Sequence, residues 1–267
     1  MKIIISHDVD HLFGSDHWLR DFIYPKLWVR STIQLIKRKI TFREWGLRCL
    51  NCFQRERNCI EKLMVFDRTH NIKSTFFFGM EKGLGMSYSK NEAKPMIQMV
   101  HNNGFDTGVH GICYDSLNGM QKEYNDFVEL MGYEPCGIRM HYVRFNDETF
   151  NMLAKVGYAF DTTEFDKLNN GTMKQPYRVG SMIEFPLTIM DGYLPEGLEN
   201  KKSATIKKLE YCKEHNIEYI SVLFHDYQFC DAYSEIRDWY IWLINHLENS
   251  SEYSFISYCD VIKDLQQ

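Results

Sequence analysis

The stretch Met1-Lys2-Ile3-Ile4-Ile5-Ser6-His7-Asp8-Val9-Asp10-His11 decides how the rest of the chain is read. Ile3, Ile4 and Ile5 form a contiguous β-branched run, the composition of a parallel strand buried on both faces. Two carboxylates and two imidazoles then fall within five positions. In α/β folds, ligands sit at the carboxyl ends of parallel strands. Asp8 and Asp10 are two apart and point the same way in extended chain. Like charges that close are costly unless a metal, a proton or a cation separates them. A single Asp here would read as a turn or a helix cap; Asp-x-Asp flanked by His reads as a site.

Length and composition bound the rest. A chain of 267 residues fits one large domain, since α/β barrels reach this size. With 44% hydrophobic and 15% aromatic residues it has ample material for a core. A net charge of −5 argues against general nucleic-acid binding. No apolar run approaches the ~20 residues of a membrane span. Met1-Lys2 leads straight into the first strand, leaving no room for a secretory signal, so a cytoplasmic location is expected. The eight cysteines, several in apolar patterns (Cys113, Cys212, Cys259), are accordingly read as reduced thiols. Cys49 and Cys52 have metal-ligand spacing with Cys59 nearby, but no further Cys or His pair completes a zinc site, and the reading is structural.

Strand–helix units then repeat without a linker. Strands are expected at 72–78, 105–109, 136–139, 159–161, 182–187, 219–224 and 254–257, and helices at about 54–70, 91–103, 117–131, 147–156, 202–215 and 233–248. This alternation implies a parallel sheet with helices on it. The expected fold is α/β, a distorted (β/α) barrel of about seven parallel strands, favoured over an open sheet. Residues 1–267 are read as one domain with a helical insertion at about 12–53. Residues 11–60 carry ten Lys or Arg against four Asp or Glu, which leaves −11 for the remainder. Trp18, Tyr24, Trp28 and Trp45 are interleaved with these bases. An amphipathic insertion packing on the barrel accounts for this pattern, as does a surface meeting a sugar diphosphate, a lipid-linked glycan, a membrane face or a second copy.

Read together, four strand ends deliver polar residues to one face: Asp8 and Asp10; Gly108-Val109-His110-Gly111; Arg139-Met140-His141-Tyr142; and His225-Asp226. At this point the chain resembles the polysaccharide deacetylases related to chitin and nodulation-factor deacetylases. Asp8 and Asp10 occupy the places of that family's catalytic base and metal-binding aspartate. Asp106-Thr107-Gly108-Val109-His110 matches its second motif, and Ser74-Thr75-Phe76-Phe77-Phe78 its Ala-Thr-Phe-Phe strand. Arg139-Met140-His141-Tyr142 corresponds to Arg-Pro-Pro-Tyr, and Val222-Leu223-Phe224-His225 to the apolar-Leu-apolar-His motif. The resemblance runs in order along nearly the whole chain, although 11–60 has no counterpart.

Two departures are linked. The family's second metal histidine falls on Tyr114, and His141 stands where proline is usual. The resemblance, closest to a variant subgroup from surface-polysaccharide loci with Asp-Val-Asp-His and Arg-x-His-Tyr, implies that His141 replaces the missing imidazole. Glu184-Phe185-Pro186-Leu187-Thr188-Ile189-Met190-Asp191 is also similar to that subgroup. The implied site has one divalent ion on Asp10, His110 and His141. Zinc suits these ligands best; cobalt, nickel, iron and manganese also fit. Asp8, held by Arg139, is the implied base, and His225, oriented by Asp191, the implied acid. Tyr142, through its backbone N–H, and Leu223 are the implied oxyanion and substrate residues.

His11 is the alternative third ligand, although it faces away from Asp10 in extended chain. His7 lies out of phase with Asp8 and reads as structural, as do His17, His70, His101, His215 and His246. Asp161-Thr162-Thr163 resembles a segment that supports the site, and Asp226 either orients His225 or caps a turn. The expected activity is metal-dependent removal of an acetyl group from an N-acetylated sugar, as a nucleotide- or lipid-linked surface-polysaccharide precursor. The rival readings are an inactive glycan-binding relative, a hydrolase of small linear or cyclic amides, and a metal-free glycosidase. The last needs carboxylates ~5 Å or more apart across a sugar bond, which one strand does not provide.

Overall fold

The computed structural model describes residues 1–14, 23–86 and 88–266. Trp18 and His17 therefore lie outside the described residues. The central strand is β1 (Lys2–Val9), which pairs in parallel with β2 (Thr75–Phe78), β9 (Tyr219–Leu223) and β10 (Ser254–Phe255). From β2 the sheet continues through β3 (Asp106–Gly111), β4 (Ile138–Met140), β5 (Phe160–Asp161), β7 (Met182–Glu184) and β6 (Tyr177–Val179); beyond β9 lies β8 (Leu187–Met190). Every named pairing is parallel except β6–β7. The antiparallel β6 is an addition to the expected strands.

The expected strand 182–187 is two strands, one next to the end of this path and the other at its opposite end. β7 pairs β5, whereas β8 pairs β9, and only Phe185-Pro186 connects them. Pro186 has no N–H to donate to a ladder, so the chain crosses the gap without hydrogen-bonding it shut. The described sheet is thus curled into a half-barrel, and that gap is its distortion.

Strand alternation sorts the side chains of β1. Ile3, Ile5 and Val9 join the cluster packed under the helices. Ile4 joins an inner cluster with Phe77, Phe160, Ile183 and Phe185. The helix α9 (Tyr258–Gln266) adds Tyr258 and Val261 to this inner cluster. The inner face of β1 therefore runs Ile4, Ser6, Asp8, from apolar plug to acid. Gly108 keeps β3 close to β2, because a Cβ there would lie 2.7 Å from the Phe77 ring.

The outer layer comprises α3 (Ile60–Thr69), α4 (Lys90–Asn102), α5 (Leu117–Met131), α6 (Thr149–Val156), α7 (Leu198–Glu214) and α8 (Ser234–Glu248). The helix expected at 54–70 begins only at Ile60. Its first residues are drawn elsewhere: Phe13 bridges Glu56, the Arg57 N–H donates to the Leu12 carbonyl, and the Cys59 N–H donates to Asp226 at 2.9 Å. His7 points into the helix layer, where both ring nitrogens face oxygens, Nδ1 the Phe224 carbonyl (3.0 Å) and Nε2 Asp67 Oδ2 (2.9 Å). Asp67 also accepts from Ser74 (2.6 Å) and Tyr240 (2.9 Å) and is fully buried. Asp67→Ala would leave three buried donors unmet, and denaturant titration is expected to show a loss of ~3 kcal/mol or more.

Residues 23–50 form α1 (Ile23–Ile36) and α2 (Phe42–Leu50). A capping box starts α2: Thr41 Oγ1 accepts from the Glu44 N–H, and Glu44 Oε2 accepts from the Thr41 N–H. Glu44 also accepts from Ser234, while Arg48 donates to the Ala232 carbonyl and to Gln34. These contacts fix the helical pair beside the carboxyl ends of the strands, where it walls one side of the main cavity.

Candidate metal centre

Three strand ends bring Asp10, His110 and His141 together, with one ligand atom from each lying within 4.8 Å of the others. Neighbouring carbonyls decide how they present themselves. His110 Nδ1 lies 3.0 Å from the Arg139 carbonyl, and His141 Nε2 lies 3.1 Å from the Leu84 carbonyl. A carbonyl only accepts, so these nitrogens carry the protons, and His110 Nε2 and His141 Nδ1 present lone pairs. Those two nitrogens are 2.9 Å apart, and Asp10 Oδ1 lies 3.3 and 3.5 Å from them. Asp10 Oδ1 is buried and receives no hydrogen bond. Three electron-pair donors aimed at one point repel unless a cation lies between them.

The two imidazoles differ electrostatically. Burial disfavours charge on either imidazole and pushes His141 down to about 4. On His110 burial is outweighed by Asp8 and Asp10, which raise it. Burial would also raise Asp10, but the three surrounding imidazoles hold it well below the usual carboxylate range. With their facing nitrogens deprotonated, the two imidazoles and one carboxylate are a fitting donor set for a divalent ion.

His11 is not part of this cluster; its ring packs edge-on to Tyr227 at 5.0 Å. Cys49 and Cys59 are likewise outside it. Tyr114 lies away from the centre, under the Arg144 guanidinium 4.7 Å from its ring.

Asp8 and His225 flank the set. Arg139, wholly buried, donates to Asp8 Oδ1 at 2.9 Å. Its remaining donors go to Ser6, Thr162 and Tyr258. Burial would raise Asp8, but His110 and Arg139 overrule it and hold the carboxyl below its ordinary value. His225 Nδ1 faces Asp191 Oδ1 at 2.8 Å, and its backbone N–H donates to Asp191 Oδ2 at 2.7 Å. Burial works against charging His225, yet Asp191, with Asp10 and Asp8, raises it to about 10, which favours the imidazolium. Its Nε2 lies 3.8 Å from Asp10 Oδ2. Asp226 does not orient His225; it caps the start of α3 through Cys59. Tyr142 adopts a left-handed conformation (φ 59°) and its hydroxyl donates to Leu84 at 2.9 Å. Leu223 is buried and lines the same cavity of about 1420 Å³ as Asp8, Asp10 and His225.

Two solved structures with this architecture carry the same description. A protein assigned as a polysaccharide deacetylase from Mycobacterium smegmatis superposes with a TM-score of 0.64 at 14% identity, over 99% of this chain and 90% of that one. Another so assigned, from Pseudomonas aeruginosa, gives 0.62 at 11% identity, over 98% and 89%. This is the polysaccharide deacetylase fold. The Puue allantoinase shares it, with a TM-score of 0.60 at 12% identity over 98% and 88%. Neither the protein-family profiles nor the curated proteins contain a match to the sequence.

Within the deacetylase fold, several supports of the centre carry no sequence signal. The Leu84 carbonyl, which orients His141 and accepts from Tyr142, is a backbone atom that any residue supplies. Thr163 accepts from the Met140 N–H (2.9 Å) and donates to Asp161 (2.5 Å), so the Asp161-Thr162-Thr163 segment does brace the Arg139 strand end. Asp161 is directly opposite Glu184 across β5 and β7. Burial raises both carboxyls, Asp161 to about 6, and the Asp161 charge adds to the rise of Glu184. Glu123 on α5 accepts from the Ile112 N–H at 2.7 Å, just beyond His110.

Burial pushes Glu123 from 4.5 up to about 7. The native state thus holds a proton that the unfolded chain gives up near 4.5. Its contribution, on the order of 3 kcal/mol, is present in full below about pH 4.5 and is lost as pH rises through about 7. Asp161 adds to the same slope. The difference in stability between wild type and Glu123→Gln, followed by thermal unfolding, is expected to shift against wild type as pH rises from about 5 to 8.

Proposed function

We propose that this protein is a metal-dependent N-deacetylase that hydrolyses the acetamido group of an N-acetylated sugar, a surface-polysaccharide precursor used in the cytoplasm. One observation carries the reading: two carbonyl-tethered imidazoles and an unpartnered carboxylate converge between an arginine-held Asp8 and an aspartate-held His225. Asp10, His110 and His141 would hold the ion, zinc being the best match to that donor set. When bound, it supplies a Lewis acid that polarises the amide carbonyl and acidifies water.

The protein's own groups do the rest. Asp8, kept ionised by Arg139, takes the proton of the attacking water. The Tyr142 backbone N–H, presented at the strained strand end, meets charge developing on the carbonyl oxygen. Leu223 offers an apolar wall to the acetyl methyl. His225 gives its proton to the departing amine, and Asp191 keeps Nδ1 protonated so that Nε2 delivers it. Water and amide become acetate and a free amine.

α1 also exposes Val29, Ile33 and Ile36, a spacing that lies along one side of a helix. This stripe supports a contact with a membrane or a second copy through residues 12–53. No helix among the described residues is long and apolar enough to cross a membrane. The test of function is acetate release from a panel of N-acetylated sugars and small linear or cyclic amides, with and without added zinc. Zinc-dependent acetate from sugars supports the reading; turnover of the small amides alone overturns the substrate, and no turnover in a metal-loaded protein overturns the activity.

A further inference from the structure

The cavity above the metal centre extends along α1 and α2, and the charges lining it do not cancel. Its carboxylates have cationic neighbours. Asp8 faces Arg139 and Asp191 faces His225; Glu196 pairs with Lys39, Glu235 with Lys201, and Arg48 favours the Glu44 carboxylate. Arg30, Arg38 and Arg57 line the same cavity, and none of them meets a carboxylate among the described residues.

Arg57 is the decisive one. Its side chain belongs to a residue only 8% exposed, yet Nε and Nη1 have no hydrogen-bond partner. Among the described residues its guanidinium faces the rings of Tyr24 (5.4 Å) and Tyr227 (5.9 Å). Ser31 Oγ, on the α1 wall, is also buried without a partner. A buried cation without a counter-ion costs stability, and ring faces leave its N–H donors unsatisfied. Such a group fits a ligand that supplies the missing acceptors. Tyr227 also lies 6.1 Å from the His225 ring, so one aromatic ring separates Arg57 from the acid proposed to protonate the leaving amine.

We infer that Arg57 anchors an anion subsite continuous with the metal centre, and that the substrate carries a phosphate or diphosphate beside its acetamido sugar. The fork of Arg57 and the hydroxyl of Ser31 receive the anion, and Arg30 and Arg38 at the exposed mouth draw it in. Three arginines that meet no carboxylate among the described residues line this cavity, and that excess of positive charge favours a multiply charged anion such as phosphate over a carboxylate. The sugar part rests on the deacetylase reading; the anion part does not, because it is measured as binding without turnover.

The experiment is calorimetric titration with inorganic pyrophosphate, N-acetylglucosamine 1-phosphate and uncharged N-acetylglucosamine. Wild type is compared with Arg57→Met, the exposed pair Arg30→Ala/Arg38→Ala, and His141→Ala. The two phosphorylated probes are expected to bind and the uncharged sugar to bind far more weakly. Arg57→Met should weaken pyrophosphate about tenfold or more, and the double variant less. Without anion, Arg57→Met should melt no lower than wild type, since it removes an uncompensated buried charge. A lower melting temperature would instead make Arg57 structural and overturn the proposal. Pyrophosphate binding that survives in Arg57→Met but disappears in His141→Ala would place the anion on the metal and overturn it too. Sugar-phosphate binding that exceeds pyrophosphate identifies a sugar-linked source; equal binding identifies free phosphate chemistry and removes the substrate claim. Binding without acetate release would leave the subsite standing while the deacetylase reading fails.

Discussion

Elemental analysis of the purified protein is expected to find about one divalent ion per chain, largely lost in Asp10→Asn and in His141→Ala. Groups that merely orient metal ligands typically cost ~10–100-fold in affinity when removed, so loss of a ligand should cost at least about a hundredfold. Asp10→Asn keeps the shape while removing the charge, and its Oδ1 position is the one that receives no hydrogen bond. His141→Ala removes the lone pair that faces His110 at 2.9 Å. Metal retained in both variants would disperse the centre and end the catalytic proposal. Metal retained in His141→Ala alone would move the third ligand, with His11, already in the cavity, next to be replaced.

Asp8→Asn should show the converse: metal retained and turnover reduced by ~10²–10⁴-fold, the contribution of a positioned base. Asparagine keeps an oxygen for the Arg139 donor at 2.9 Å, so melting temperature and metal content serve as controls on the fold. His225→Ala should fall in the same range with metal intact, because His225 is not among the three clustered ligands. Unchanged turnover in Asp8→Asn would move the base elsewhere. Loss of metal in that variant would make Asp8 a ligand rather than a base. These variants separate two aspartates only two residues apart, one held by arginine and the other beside two lone pairs.

Most of the centre was legible in the linear order of residues. Strand alternation placed Asp8 and Asp10 on one side, and the strand ends carrying His110, Arg139, His141 and His225 could be named before any fold was seen. Tyr114 packs under Arg144, and His141 lies in the cluster with Asp10 and His110 from the next strand end. The path of the sheet was less legible. Residues 182–187 read as one strand, whereas Met182–Glu184 and Leu187–Met190 are strands on either side of the half-barrel's gap, because Pro186 interrupts a ladder that nothing local otherwise limits. The late start of α3 was equally hidden, since its N-terminal donor goes to Asp226, far along the chain.

Local properties therefore settled the class of the protein: alternating strands and helices, and carboxylates and imidazoles at strand ends, follow from periods of 2 and 3.6 that any window reveals. The tertiary structure decided the state of those groups. The tautomers of His110 and His141 depend on the carbonyls of Arg139 and Leu84, which no side-chain pattern encodes. The raised carboxyls of Asp161 and Glu184 depend on β5 meeting β7, and the unsatisfied guanidinium of Arg57 on two rings closing over it. Protonation and desolvation are set by what surrounds a group in space, and only packing of distant segments creates those surroundings.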